Sequence, residues 1–144
     1  MHRPATHREL AELVRGAIRG YIGADPVEYQ PGRFWFSIDG LDFVVLCTEE
    51  TFPAVQIEHD VFEPDDGNRG ELLEFMNSLV GRTSSLGAHW WLGNKVLWLK
   101  TTLWATRFAE DIFIEQLSRL VAVAHLRTPE IVARFGPTSR ETWQ

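Results

Sequence analysis

The alternation of apolar and polar residues along the chain predicts three helices and five strands. Apolar residues recur at every third or fourth position in the predicted helices, residues 6–22, 69–81 and 107–126. They recur at every second position in the predicted strands, which lie near residues 33–38, 41–48, 54–61, 87–92 and 95–104. The order α-β-β-β-α-β-β-α predicts an α+β fold, in which helices cover one face of a mainly antiparallel five-stranded sheet.

Residues that favour helix ends support the boundaries of the helices. Thr6 and Glu9 have the S/T-x-x-E spacing of a capping box, which satisfies backbone N–H groups at a helix start. Thr106 is placed to cap the third helix. Thr128-Pro129 predicts the restart of a short helix that ends before Gly136, because proline is favoured at the first helical position.

Turn chemistry fixes the register of the first predicted hairpin. Asp39-Gly40 is a two-residue loop that can adopt the positive φ angles of a type I′ turn. Pairing outward from this loop aligns apolar residues on one face: Ile38 with Leu41, Phe36 with Phe43 and Phe34 with Val45. The opposite face is mixed and carries Trp35, Ser37, Asp42, Val44 and Leu46.

Residues 89–104 contain four of the six tryptophans and predict a second hairpin around Gly93-Asn94. A two-residue loop there places Leu92 opposite Lys95 and Trp91 opposite Val96. One face, which we expect to pack under the helices, then carries Trp90, Leu92, Leu97, Leu99 and Leu103. The other face carries His89, Trp91, Val96, Trp98, Lys100, Thr102 and Trp104.

The second of these faces is large enough to predict a partner. A buried aromatic side chain covers roughly 150–250 Å², so three tryptophans form a patch of about 500 Å². Soluble monomers seldom expose a contiguous apolar patch of more than a few hundred Å². We therefore expect a partner to cover it, with the final helix or the C-terminal tail as the alternative cover. The predicted partner-binding residues are Trp35, Val44, Trp91, Val96, Trp98 and Trp104.

Length and composition indicate one globular domain, residues 5–136, followed by a tail, residues 137–144. Fourteen basic and twenty acidic residues give a net charge of −6, which argues against nucleic acid or an anionic membrane as partner. The sequence has neither an apolar stretch of about eighteen residues nor a signal-peptide pattern at its N-terminus. We therefore expect a cytoplasmic protein.

No motif in the sequence predicts a catalytic, metal or cofactor site. A possible metal-ligand cluster comprises His59, Asp60, Glu63, Asp65 and Asp66. This cluster lacks the EF-hand spacing, so a solvated acidic loop is the favoured interpretation. Cys47, the only cysteine, lies in the inward phase of its strand, which predicts a buried, unreactive thiol. Neither a G-x-S-x-G motif nor a phosphate-binding glycine-rich loop occurs.

The element order and two segments resemble a known superfamily. The order is similar to that of class I type III secretion chaperones and of the related YbjN-like proteins. The segment "GRFWFSIDG" resembles the first strand and turn of the YbjN-like proteins, and "ELLEFMNSL" resembles their central helix. Asn77 matches the first of two asparagines typical of that helix, whereas Val80 stands in place of the second. The resemblance implies a non-enzymatic, often dimeric, cytoplasmic protein that holds a partner polypeptide.

Three functional hypotheses follow from the sequence. The first is a chaperone-like or adaptor module that forms a homodimer and binds a protein or peptide client through apolar surface. The second is a carrier of a small hydrophobic ligand or lipid, with tryptophans lining a pocket between sheet and helix. The third is an enzyme whose site the sequence does not reveal. The polar residues His89, Lys100 and Thr102 among the tryptophans favour the first, because an intermittently covered interface tolerates them better than a closed lipid cavity.

Overall fold

The computed structural model describes residues 6–49, 53–62, 70–76, 89–92 and 97–135. Within them, the helices are α1 (His7–Ile22), α2 (residues 70–76) and α3 (Glu110–Phe135). The strands are β1 (Val27–Gln30), β2 (Arg33–Ile38), β3 (Leu41–Cys47), β4 (Ala54–Phe62), β5 (His89–Leu92) and β6 (Leu97–Trp104). They form one antiparallel sheet in the order β1-β2-β3-β4-β6-β5. The predicted α+β class and antiparallel pairing are confirmed, and the predicted elements follow one another in the predicted order.

Helix α1 begins and ends where its capping residues predict. The Oγ1 atom of Thr6 accepts a hydrogen bond from the backbone N–H of Glu9 at 3.1 Å. At the other end, Gly23 adopts a left-handed conformation with φ of 78°, which glycine reaches without a Cβ clash. The buried face of the helix consists of Leu10, Ala11, Val14, Ala17 and Ile18.

The β2–β3 hairpin has the predicted register. Asp39 and Gly40 have φ angles of 49° and 84°, as a type I′ turn requires. The paired residues are the predicted ones: Ile38 with Leu41, Phe36 with Phe43 and Phe34 with Val45. Because Phe34, Phe36, Phe43 and Val45 are all buried, this is the face on which the helices pack.

All three described helices pack on that same face of the sheet. In the main core, α1 and α3 meet strands β2, β3, β4 and β6 through side chains that include Val14, Phe34, Phe43, Phe113 and Leu117. A smaller core joins α2 and the end of α3 to β4 and β6 through Val61, Leu72, Met76, Leu97, Ile131 and Phe135. The opposite face of the sheet is therefore covered by none of the described helices.

A short strand that the sequence did not predict raises the strand count from five to six. Strand β1 pairs with β2 through Val27 with Trp35 and Glu28 with Phe34. All four of its residues are exposed, so no alternation of burial marks it in the sequence. An irregularity between Glu28 and Gln30 further interrupts the period of two.

The second hairpin differs in register from the prediction. Leu92 pairs with Leu97 and not with Lys95, so residues 93–96 separate the two strands. The predicted two-residue loop at Gly93-Asn94 is therefore wrong. A shift of two residues leaves every residue in its phase, which is why periodicity alone could not distinguish the two registers.

The C-terminal helix starts later and runs further than predicted. Ala105–Arg107 form a 3₁₀ turn, so Thr106 lies inside that turn and does not cap α3. The helix continues through Pro129 to Phe135, and the predicted restart at Thr128-Pro129 is wrong. Proline removes one helical hydrogen bond, but Ile131 and Phe135 beyond it are buried in the smaller core. This burial holds the last two turns in line with the rest of the helix.

Candidate binding surface

The candidate site is the sheet face opposite the helices, which we call the open face. Side chains alternate between the two faces of a strand, so it takes every second residue of β2, β3, β4 and β6. Its described members are Arg33, Trp35, Ser37, Asp42, Val44, Leu46, Gln56, Glu58, Asp60, Lys100, Thr102 and Trp104. Each of these is exposed or half-buried, whereas most residues between them are buried.

Two predicted binding residues, Trp35 and Val44, lie side by side. They are cross-strand partners on β2 and β3. Trp35 is 40% exposed and Val44 is half-buried. On the other side of Trp35, Val27 of β1 is its partner and is 54% exposed. These three residues make an apolar corner at the β1 edge of the sheet.

Another predicted binding residue, Trp104, lies at a different corner of the open face. It ends β6, opposite Ala54 of β4, and is 53% exposed. The row of cross-strand partners from Trp35 crosses the sheet to Lys100, four residues before Trp104. Three strand spacings and four residues along β6 correspond to about 20 Å. Trp35 and Trp104 therefore do not form one contiguous patch.

The remaining predicted binding residues belong to the second hairpin. The backbone register pairs Trp91 with Trp98, so these positions are adjacent, as a shared contact would require. Position 98 falls in the same strand phase as Lys100 and Trp104. Val96 lies outside the described residues.

A charged pair occupies the centre of the open face. The Nζ atom of Lys100 lies 3.2 Å from Oε1 of Glu58, and the two side chains are 27% and 16% exposed. They are cross-strand partners on β6 and β4. Because half-burial reduces screening by solvent, this pair is a stable feature that separates the apolar corners. The surface is thus apolar at its corners and charged between them.

Carboxylates make one end of the open face acidic. Partial burial, and then the neighbouring Glu58 charge, raise the pKa of Asp60; Asp42 acts in the same direction. Arg33, a cation of the same face, pairs with Leu46 and lies four residues along β2 from Ser37, the partner of Asp42. That spacing corresponds to about 13 Å. Arg33 is therefore remote from the acidic end.

His59 and Asp60, two members of the possible ligand cluster, lie on opposite faces of the sheet. His59 is 2% exposed and packs against Phe43, with ring centroids 5.0 Å apart. Its Nδ1 donates to the carbonyl oxygen of Asp42 at 2.7 Å, and the Thr128 hydroxyl lies 3.0 Å from its Nε2. Asp60 is exposed on the open face. Outside the described residues lie the other members, Glu63, Asp65 and Asp66.

A cleft of about 590 Å³ between α1 and β1 is a feature that sequence reasoning missed. The side chains of Arg15 and Glu28 form an ion pair on its wall. His7, also on the wall, donates from Nε2 to the carbonyl oxygen of Cys47 at 2.9 Å. The cleft depends on β1, whose sequence carries no periodic signal, so no pattern in the chain could have indicated it.

The thiol of Cys47 is buried beside this cleft. Burial, with a smaller contribution from the charge of Glu28, raises the pKa of Cys47 to about 12. The thiol is therefore protonated at neutral pH, and only the thiolate is a nucleophile. The predicted burial of Cys47 is confirmed, and a protonated thiol agrees with the predicted lack of reactivity.

A metal centre and a membrane-spanning helix have no counterpart in the part of the chain that the structure describes. That part contains no group of three or more His, Cys, Asp or Glu side chains placed to hold a metal ion. Among its helices, none is both long enough and apolar enough to cross a membrane.

Comparison with solved structures finds chains of similar fold in three protein complexes. A chain of the ExsC–ExsE complex matches with a TM-score of 0.62 at 17% identity, over 84% of this chain and 92% of that one. A chain of the HopA1–SchA chaperone–effector complex matches with a TM-score of 0.58 at 12% identity, over 78% and 88%. A chain of the ExoU–SpcU complex from the type III secretion system of Pseudomonas aeruginosa gives 0.61 at 12%, over 81% and 95%. No protein-family model and no curated protein matches the sequence.

These matches confirm the predicted type III secretion chaperone-like fold. At 12–17% identity the similarity is one of fold.

Proposed function

We propose that this protein is a non-enzymatic, chaperone-like or adaptor protein that holds a partner polypeptide against its open face. The observation that carries the proposal is the exposure of Trp35 (40%) and Trp104 (53%) on a sheet face that none of the described helices covers. Tryptophan is enriched among interface hot spots, because one ring fills a pocket on the partner and excludes water. The chaperone-like fold adds support for a polypeptide client.

The proposed contact includes Trp35, Val44, Trp91, Val96, Trp98 and Trp104. We place its centre at Trp91 and Trp98, which are backbone partners on the two neighbouring strands. We further propose a cytoplasmic homodimer, as the family resemblance implies. A carrier of small hydrophobic ligands has less support, because Trp35 and Trp104 lie on the outer face and not between sheet and helices.

Native mass spectrometry of the protein purified from its own cells tests the proposal. The comparison is between the wild type and the double variant Trp35→Ser/Trp104→Ser. We expect polypeptide-bound species with the wild type, and a bound fraction at least about tenfold smaller with the variant, because truncating an interface tryptophan commonly costs more than about 1 kcal/mol.

A core variant provides the matched control for folding. Phe36 is 3% exposed under the helices, so Phe36→Ala should lower the free energy of unfolding by about 3–5 kcal/mol. Each tryptophan substitution should lower it by less than Phe36→Ala does, because Trp35 and Trp104 keep 40% and 53% of their surface exposed in the folded protein. Equal polypeptide binding by the folded double variant would contradict the proposed site, and a bound lipid in place of polypeptide would favour the carrier hypothesis.

A further inference from the structure

The charges of the open face indicate the chemistry of the segment that binds there. Its described ionisable residues are three carboxylates and two cations: Asp42, Glu58, Asp60, Arg33 and Lys100. Lys100 is 3.2 Å from Glu58, so that pair neutralises itself. Asp42 and Asp60 then dominate one end of the face, and Arg33 lies about 13 Å away along the strands.

Asp60, at the acidic end, already lies in a setting that disfavours its negative charge. Partial burial and the neighbouring carboxylates raise the pKa of Asp60, and the charges of Lys100 and His59 only partly oppose this effect. A segment that covered this end without a cation would remove solvent from both carboxylates and leave them unpaired, which is strongly unfavourable. A segment carrying a cation would pair with them in a water-excluded setting, where such contacts are strong. Asp42 lies two residues along β3 from Val44, the cross-strand partner of Trp35, so the segment also needs apolar side chains beside its cations.

We propose that the open face binds a polypeptide segment in which lysine or arginine side chains lie among apolar ones. This inference rests on the proposed function. The cations contact Asp42 and Asp60, and the apolar side chains contact the tryptophan positions. The negative net charge of the whole chain, −6, steers such a segment toward the protein at low ionic strength.

A second copy of this chain is a poorer occupant of the open face. Two facing copies would bring together six carboxylates and four cations from the described residues, twice the three and two of one face. Two Glu58–Lys100 pairs remain, and two Arg33 side chains can pair with two of the four other carboxylates. Two carboxylates would then be buried without a cation, which opposes association through this face.

Peptide binding measured by fluorescence anisotropy tests the proposal. A set of short fluorescein-labelled peptides shares the same leucine positions and differs only in whether the intervening positions are lysine, glutamine or glutamate. We expect the wild type to bind the lysine peptide about tenfold more tightly than the glutamine peptide, as two partly exposed ion pairs permit. The glutamate peptide should bind most weakly, and the preference should shrink as salt is added.

Matched variants locate the preference on the surface. In Asp42→Asn/Asp60→Asn the lysine and glutamine peptides should bind within about twofold of each other, because the carboxylates that distinguish them are gone. Glu12→Gln/Asp25→Asn removes the same charge from exposed positions on and after α1 and should keep the preference.

Several results would overturn the inference. If the wild type binds all three peptides equally, or if the preference survives in Asp42→Asn/Asp60→Asn, the inference fails and the proposed function stands. If no peptide binds, the inference fails, and native mass spectrometry decides on the function separately. If no peptide binds and sedimentation shows self-association that Trp35→Ser/Trp104→Ser abolishes, the occupant is a second copy, and the inference and the proposed function both fail.

Discussion

At the scale of single residues, two histidines near Phe43 connect the sheet to the last helix. The centroid of the Phe43 ring lies 5.0 Å from that of His59 and 6.3 Å from that of His125. His59 reaches the Thr128 hydroxyl of α3 at 3.0 Å, and Nε2 of His125 reaches the carbonyl oxygen of Ile38 at 3.1 Å. These buried or half-buried polar groups therefore have partners inside the protein, as a stable core requires.

Stability should depend on pH through His59. Burial lowers the pKa of His59, and its hydrogen bond to the carbonyl of Asp42 only partly opposes this effect. The unfolded chain takes up the proton near its ordinary pKa of about 6.5. The stability that neutral His59 provides is therefore present above about pH 6.5 and is lost as the pH falls below it. Urea unfolding of the wild type at a series of pH values should show this decline.

The variant His59→Asn isolates the contribution of this ring. Its amide can still donate to the carbonyl of Asp42, but it does not titrate, so its stability should change less between about pH 7 and pH 5.5. At neutral pH it should be about 1–3 kcal/mol less stable than the wild type, because the Thr128 contact is lost. Asp60, whose pKa is raised, has the opposite effect and stabilises the folded protein as the pH falls. That effect lies mainly at lower pH, because a carboxyl group titrates below histidine. An equally steep decline in both proteins would rule out His59 as the cause.

Secondary-structure elements differ in how well the sequence specifies them. The β2–β3 hairpin could be predicted in detail, because the turn at Asp39 and the alternation of burial independently select one register. Strand β1 could not, since all its residues are exposed. The sheet face on which Trp35 and Trp104 lie could be predicted from the alternation of apolar and polar residues, whereas the distance between them could not. That distance depends on β6 lying beside β4, a long-range pairing that no local pattern encodes.

Pro129 offers a test of the continuous α3 helix. A proline in a helix interior costs about 3 kcal/mol, because its N–H is missing and its ring crowds the carbonyl four residues earlier. The proline also restricts the unfolded chain, which offsets roughly 0.4–1 kcal/mol of that cost. Pro129→Ala should therefore raise the free energy of unfolding by about 2 kcal/mol, measured by urea denaturation.

The neighbouring variant Glu130→Ala is the control for this measurement. Glu130 is exposed and pairs only at the surface with Arg127, at 3.3 Å. Its substitution should change stability by about 0.5 kcal/mol or less. A Pro129→Ala protein that is no more stable than the wild type would indicate that the helix breaks at Thr128-Pro129, as the sequence pattern predicted.

The whole molecule is one-sided, with helices on one face of the sheet and a surface of tryptophans and charges on the other. The described helices pack on a buried set of strand side chains that includes Phe34, Phe43 and Leu99, so stability resides on their side. Trp35, Trp104 and the Glu58–Lys100 pair contribute little to that core. The residues of the open face can therefore bind a partner without disturbing the packing that stabilises the fold.

Site-specific photo-crosslinking in the protein's own cells tests the central claim, that the open face holds a partner polypeptide. A photo-reactive amino acid replaces Thr102, which is exposed on the open face, or Ala122, which is exposed on α3 on the opposite side of the molecule. We expect covalent adducts with partner polypeptides from position 102 and few or none from position 122. Adducts of equal abundance from both positions, or adducts from position 122 alone, would contradict it.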